Sequence, residues 1–252
     1  MIQNPETAHF VHAVFEAAAM FIGARYYFAV RRRSAETAVS GRSYGVLLGC
    51  LLGAGIGNKL VYALEWPQLF TAGNFLSQIW AGQSVVGGLL GGLLGTELAK
   101  WLTAQSRSTG DLFVGPFLLA LAIGRVGCFL AGLNDGTCGV ATSLPWGLDF
   151  GDGMPRHPAQ LYEIAFVLLL WWGLARSRAS LACVPGLQFK LMTSAYLLWR
   201  LLIDFLKPVP FAWWLDLSGI QWVCLAALAI YLPHVSAALQ EKQEHARIRS
   251  TL

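Results

Sequence analysis

Hydrophobic and polar positions alternate in long blocks along this chain. Seven apolar stretches, 9–30, 44–64, 84–104, 112–133, 159–177, 187–206 and 213–233, are separated by short polar segments. A helix needs roughly 20 apolar residues to cross a hydrocarbon core, so each stretch predicts a transmembrane helix. The third is rich in glycine, and the sixth contains Arg200 and Asp204. The predicted fold is an all-α membrane protein of about seven transmembrane helices in a single polytopic domain, residues 1–252. A long polar outer loop is expected at 134–158. It holds Asn134, Asp135, Gly136, Asp149, Gly151, Asp152, Gly153 and Pro155, a turn-rich set. Residues 236–252 read as a cytoplasmic tail.

Composition agrees. The chain is 56% hydrophobic and only 13% charged, about half the usual charged share of a globular protein. Ten Trp and seven Tyr suit aromatic belts at two interfaces. The first apolar run ends in Arg31, Arg32 and Arg33 and reads as an anchor, not a cleaved leader. Cytoplasmic loops are enriched in Lys and Arg. An outside N-terminus puts Arg31 to Arg33, Arg42, Lys100, Arg107, Arg176, Arg178, Lys190, Lys242, Arg247 and Arg249 inside, and only Arg156 and Lys207 in outer loops. The chain is therefore expected to cross its membrane with the N-terminus outside and the C-terminus inside. No basic stripe suggests nucleic acid. The five cysteines form no CxxC pair, and His9, His12 and His157 lack ligand spacing, so neither a metal nor any other cofactor is expected. Cys128 and Cys138 flank the outer end of the fourth stretch, where either a disulfide or two free thiols would fit.

Against this background a few polar residues stand out. Arg156-His157-Pro158-Ala159-Gln160-Leu161-Tyr162-Glu163 opens the fifth stretch, and Arg125 and Arg200 lie inside two others. Ionisable groups at membrane depth are costly unless paired, and are candidate functional groups for that reason. Three guanidinium groups suggest a site for an anion, and the abundant membrane anion is a lipid phosphate. The alternative for Arg125 is an internal ion pair with Glu163 or Asp204. Tyr196, Arg200 and Asp204 follow at i, i+4 and i+8 on one helical stripe, where Arg200 and Asp204 can also pair locally. His12 and Glu16 form another i, i+4 pair. Gly87, Gly91 and Gly95, with Gly88 and Gly92, allow close helix packing or a smooth groove wall for a lipid. Lys59 either reaches the outer interface or touches a ligand.

Gly124-Arg125-Val126-Gly127-Cys128-Phe129, Leu144-Pro145-Trp146-Gly147 and the segment from Arg156 to Glu163 resemble prolipoprotein diacylglyceryl transferases. Ser84-Val85-Val86-Gly87-Gly88-Leu89 and the Tyr196/Arg200/Asp204 stripe extend the likeness over roughly residues 9–233. The resemblance implies a seven-helix enzyme of the bacterial inner membrane with its active side outward. It would move a diacylglyceryl group from phosphatidylglycerol to the lipobox cysteine of a prolipoprotein signal peptide, releasing glycerol phosphate. It implies catalytic roles for Arg125, Arg200, His157 and Asp204. Substrate contacts would fall to Arg156, Tyr196, Gln160, Tyr162, Glu163, Gly87 and Gly88. Three positions depart from the family pattern: Val86 replaces a histidine, Cys128 an asparagine and Leu133 a glutamate. Two other classes remain open, a lipid-binding relative with altered catalysis and a small-anion transporter. The missing internal repeat argues against the transporter.

Overall fold

The structure is a computed structural model that describes residues 2–33, 41–71, 73 and 75–251. Among these, nine α-helices run in the order α1 (Pro5–Arg33), α2 (Gly41–Glu65), α3 (Phe75–Ala81), α4 (Val85–Leu102), α5 (Val114–Ala131), α6 (Ala159–Arg176), α7 (Arg178–Leu181), α8 (Leu187–Ile203) and α9 (Gly219–Thr251). Seven of them fall on the seven apolar stretches. The short α3 and α7 were not anticipated. The last helix starts at Gly219, not 213, and continues to Thr251, through the stretch read as a tail. Five helical segments are long and apolar enough to cross a membrane: Pro5–Arg33, Tyr44–Glu65, Val85–Leu102, Gly110–Asp135 and Gly219–Ile248. Helices α6 and α8 are not among them. Helix α8 has 17 residues and carries Lys190 and Arg200, and α6, although it has 18, carries Gln160, Glu163 and Arg176.

Burial is inverted relative to a water-soluble protein. Large apolar side chains such as Phe10, Met20, Phe21, Leu51, Ile56, Leu94, Leu169 and Ile230 point outward. Glu163, Asp204, Arg125 and Arg200 are buried. Lipid surroundings produce this arrangement, because apolar surface is solvated by acyl chains while charges must find partners inside. The chain is an all-α membrane protein. Exposed tryptophans gather near helix ends: Trp66, Trp80, Trp213 and Trp214 at one end of the bundle, Trp101 and Trp172 at the other. That is the expected pair of aromatic belts.

Local signals explain several helix ends. Asn4 accepts the amide of Thr7 at 3.2 Å, and Pro5 takes the first helical position of α1. Arg31 to Arg33 close α1 where cations complement the helix dipole. Ser84 caps α4 through the Gly87 amide. Ser218 and Gln221 make a reciprocal cap on α9: the Gln221 amide donates to Ser218 Oγ at 3.0 Å, and the Ser218 amide to Gln221 Oε1 at 2.8 Å. Asp111 accepts the amides of Gly186 at 2.7 Å and Phe189 at 2.9 Å, which fixes the start of α8.

The α2 and α4 backbones pack directly. A Cβ on Gly53 would stand 2.2 Å from the Gly91 carbonyl oxygen, and one on Gly95 would stand 2.1 Å from that of Gly49. Gly87 faces Gly57 just as closely. The close-packing reading thus describes Gly87, Gly91 and Gly95. Gly88 is looser, with the Ala54 carbonyl oxygen 3.9 Å from such a Cβ. Helices α1 and α5 pair similarly. Gly127 lies where any Cβ would meet Phe15 at 2.5 Å, and His12 is the next side chain along. Lys59 donates to the Trp80 and Gly82 carbonyls at 2.9 and 2.7 Å, so it ties α2 to the end of α3.

The segment 134–158 is ordered by hydrogen bonds. Strands β1 (Leu148–Asp149) and β2 (Pro155–Arg156) pair antiparallel. Asp149 Oδ1 accepts the amides of Gly151, Asp152 and Gly153 in the turn between them. His157 exchanges backbone hydrogen bonds with Gly139 and Val140, and Val140 donates to Leu206 beyond α8. The segment is thereby tied to the site end of the bundle.

Candidate active site

Polar side chains converge where α5 and α8 end and α6 and α9 begin. Arg125 comes from the penultimate turn of α5, which Gly132 ends with a positive φ of 64°. Glu163 lies one turn into α6 and is fully buried. Its Oε2 stands 2.8 Å from Arg125 Nε and 3.8 Å from Lys207 Nζ. Its Oε1 accepts the Tyr196 hydroxyl at 2.8 Å. Of the two partners open to Arg125, the fold selects Glu163.

Arg200 pairs with Asp204 as their spacing suggested, Nη2 to Oδ1 at 2.8 Å. The other Asp204 oxygen accepts the Ser218 hydroxyl. Lys207, three residues beyond Asp204, reaches Glu163, so the Arg200–Asp204 pair lies at the same end as Arg125 and Glu163. Two buried guanidinium groups therefore share one end of the bundle, and each is anchored by a carboxylate. An anchored guanidinium keeps further N–H donors in a fixed plane, which suits a tetrahedral oxyanion.

The motif at the start of α6 divides between two settings. Gln160 is buried and donates to Thr137 Oγ1 at 3.2 Å and Cys138 Sγ at 3.3 Å, while its Oε1 has no partner. Tyr162 accepts Trp146 Nε1 at 2.8 Å, and His157 Nδ1 lies 3.3 Å from the same hydroxyl. Arg156 does not join the other two arginines. It pairs with Asp152 in the hairpin at 2.6 Å, because the β1–β2 turn brings the carboxylate back beside it. Its guanidinium holds the Asp152 carboxyl below the usual range. Burial pushes the Cys138 thiol up.

Helix α1 brings a second group to this end. His12 Nε2 lies 3.3 Å from Asp135 Oδ1, 3.5 Å from Cys128 Sγ and 3.8 Å from Glu16 Oε1. Arg125 Nη1 donates to Cys128 Sγ at 3.6 Å. All five cysteines are free, so Cys128 and Cys138 are not bridged. Val86 is buried in the apolar core, in the cluster that also holds Val61, Leu118 and Tyr196.

Sequence reading did not single out Lys207, Ser218 or Cys128 as part of the site. Lys207 was legible: it continues the 196/200/204 stripe by one more turn. Ser218 was not, because its partner Asp204 lies on another element; Cys128 lies three residues after Arg125, but its contact with His12 on α1 was not legible.

A sequence model described as prolipoprotein diacylglyceryl transferase matches residues 7–235. The chain is 32% identical over 204 residues to the phosphatidylglycerol–prolipoprotein diacylglyceryl transferase of Bordetella parapertussis, covering 72% of this chain and 74% of that one. The enzyme of the same name from Azotobacter vinelandii is 31% identical over 74% of this chain and 72% of its own. That from Nitratidesulfovibrio vulgaris is 33% identical over the same shares. With the buried Arg125–Glu163–Tyr196 cluster and the Arg200–Asp204 pair at one end of an apolar helix bundle, the chain belongs to the prolipoprotein diacylglyceryl transferase family.

Proposed function

We propose that this chain transfers the diacylglyceryl group of phosphatidylglycerol to the cysteine thiol of a prolipoprotein signal peptide. The observation that carries this reading is the pair of buried guanidinium groups, Arg125 and Arg200, each anchored by a carboxylate. A lipid phosphate is the anion a membrane supplies to such a site. The transferase names of the relatives support the same reaction.

The chemistry follows from charge. The acceptor sulfur forms a bond to the glyceryl methylene as the bond from that carbon to the phosphate oxygen breaks. The electron pair leaves with that oxygen, and glycerol phosphate departs with one more negative charge. Arg125 and Arg200 stabilise that added charge in a water-poor site, where preorganised donors act strongly. Glu163 and Asp204 hold the guanidinium planes, and Tyr196 steadies Glu163; Gln160 is buried with an unpartnered carbonyl oxygen. A thiol attacks as thiolate, and a positive field lowers its pKa. His157, Tyr162 and Trp146 form a rim on the ordered outer segment, where the acceptor peptide would lie. In this reading His157 assists the acceptor thiol from that rim.

In this reading the seven long helices all cross a bacterial inner membrane, with the N-terminus outside, the C-terminus inside and the site at the outer end. The Lys/Arg distribution supports that orientation. The test is incubation of purified protein with labelled phosphatidylglycerol and a lipobox peptide. Thioether-linked diacylglyceryl peptide is the expected product. No product, under conditions where one of the named relatives is active, would contradict the proposal.

A further inference from the structure

His12, Cys128 and Asp135 come from α1, α5 and the short turn of helix after α5, Gly132–Asp135. Their ligand atoms, a ring nitrogen, a thiol sulfur and a carboxylate oxygen, all lie within 4.8 Å of one another. Both the Cys128 sulfur and the Asp135 oxygen approach the same ring atom, His12 Nε2, at 3.5 and 3.3 Å. A hydrogen-bond relay would place one partner on each ring nitrogen. A single Nε2 facing both is a poor relay, but it is how three donors surround a cation.

The spacing fits a particular cation. With Zn–S bonds of roughly 2.3 Å and Zn–N or Zn–O bonds of roughly 2.0–2.1 Å, tetrahedral S···N and N···O edges are about 3.5 and about 3.4 Å. The observed 3.5 and 3.3 Å match these two edges, and the third, sulfur to carboxylate oxygen, lies within 4.8 Å.

The surroundings support the same reading. Thr137 donates to Asp135 Oδ2, which leaves Oδ1 turned to His12, and Gln160 donates to Thr137 in turn. Such outer hydrogen bonds orient metal ligands. Arg125 Nη1 donates to the Cys128 sulfur, as suits a coordinated thiolate. One thiolate and one carboxylate neutralise a divalent ion, so Arg125 can stay beside it. Glu16, 3.8 Å from His12 Nε2, adds negative charge at the rim and accepts Gln83 Nε2 at 3.4 Å.

We propose that His12 Nε2, Cys128 Sγ and Asp135 Oδ1 bind Zn²⁺, and that the fourth tetrahedral position receives the acceptor cysteine as a zinc thiolate. The second half rests on the transferase reading above. Zinc sites with three protein ligands keep such a position for a substrate, and a coordinating thiol is deprotonated outright. The thiol proton goes to solvent on coordination. The sulfur then forms its bond to the glyceryl carbon as that carbon's bond to the phosphate oxygen breaks, and the electron pair leaves as glycerol phosphate. Arg125 links the two halves of the site, with Nη1 on Cys128 and Nε at Glu163. The thioether product is a weaker ligand than the thiolate, so it can leave.

The test loads chelator-treated full-length protein with Zn²⁺ and, separately, with Co²⁺. One Zn²⁺ per chain is expected, lost in Cys128→Ser and in His12→Gln. The Co²⁺ form should show tetrahedral ligand-field bands and one thiolate charge-transfer band. A lipobox cysteine peptide should strengthen that band, and the serine peptide should not. These spectra are read on the wild-type protein, so they stand even where a variant fails to fold. A free thiol is only a few per cent ionised at pH 7, so metal removal should slow transfer on the order of 30-fold. Folded protein that takes up no metal overturns the site, and a Co²⁺ spectrum blind to the peptide thiol overturns its role. Transfer by metal-free protein at the full rate overturns the inference and leaves the transferase reading intact. A thiolate band that grows with peptide while no lipid is transferred supports the site and counts against the transferase reading.

Discussion

Glu163 Oε2 and Arg125 Nε face each other at 2.8 Å between α6 and α5, with Tyr196 donating to the other carboxylate oxygen. Removing one member of a buried pair strands the other, which costs about 3–5 kcal/mol. Glu163→Gln should therefore lower the melting temperature in detergent as well as the activity. Tyr196→Phe removes one hydrogen bond to a charged group, worth about 1.5–3 kcal/mol. It should melt between wild type and Glu163→Gln. A Glu163→Gln protein as stable as wild type would contradict the pairing.

Asp204 is held from two elements, by Arg200 on its own helix and by the Ser218 hydroxyl at the start of α9. Ser218→Ala removes that bond and the helix cap together. Loss of a cap costs about 0.5–2 kcal/mol, and an unsatisfied Asp204 oxygen adds to it. The same variant should lower transfer, because Arg200 loses part of its anchor. An unchanged thermal midpoint and rate would show that Ser218 does not position Asp204.

The glycine seam makes a paired prediction. A Cβ on Gly53 would overlap the Gly91 carbonyl oxygen, whereas one on Gly55 meets nothing within 4 Å. Gly53→Ala should force α2 and α4 apart and reduce the yield of folded protein, and Gly55→Ala should be tolerated. Fluorescence-detected gel filtration reads both. Equal yields would contradict the backbone-to-backbone packing.

Arg156 lowers the Asp152 carboxyl pKa mainly by donating to it. A carboxylate with a lowered folded pKa contributes its pairing above the ordinary range and loses it as pH falls through the lowered value. The pair should persist through mildly acid solution. Carbon NMR of Asp152 should show a titration midpoint below the ordinary 3.8, moving up in Arg156→Gln. A midpoint unaffected by that substitution would mean the pair does not form in solution.

The helices were legible because apolar blocks near 20 residues are an unambiguous signal. Five of the seven long helices end within about three residues of the apolar blocks at both ends. The exceptions are α1, which gains its Asn4-capped first turn, and α9, which starts late and runs on through polar residues. Segment Phe75–Ala81 was missed because seven residues carry too little periodicity to mark a helix. Local pairs were also legible: Arg200 and Asp204 sit four residues apart, as their spacing required. What the sequence could not reveal is partnership across the bundle. Arg125 had two candidate carboxylates, and only packing of α5 on α6 chose Glu163. Arg156 looked like a third phosphate arginine, yet the β1–β2 turn returns Asp152 to it. His12 and Cys128 are 116 residues apart in the chain, and Gly127 brings α1 close enough to join them.

The central claim is that Arg125 and Arg200 hold the lipid phosphate through their planar donor sets. Arg→Lys keeps the charge and removes the plane. The most direct measurement is the rate of diacylglyceryl transfer from labelled phosphatidylglycerol to a lipobox peptide by Arg125→Lys and Arg200→Lys, each checked for folding by its melting curve. The account predicts a loss of about 10²–10³-fold for each, the scale for removing a donor that stabilises developing charge. Wild-type rates in both folded variants would contradict it.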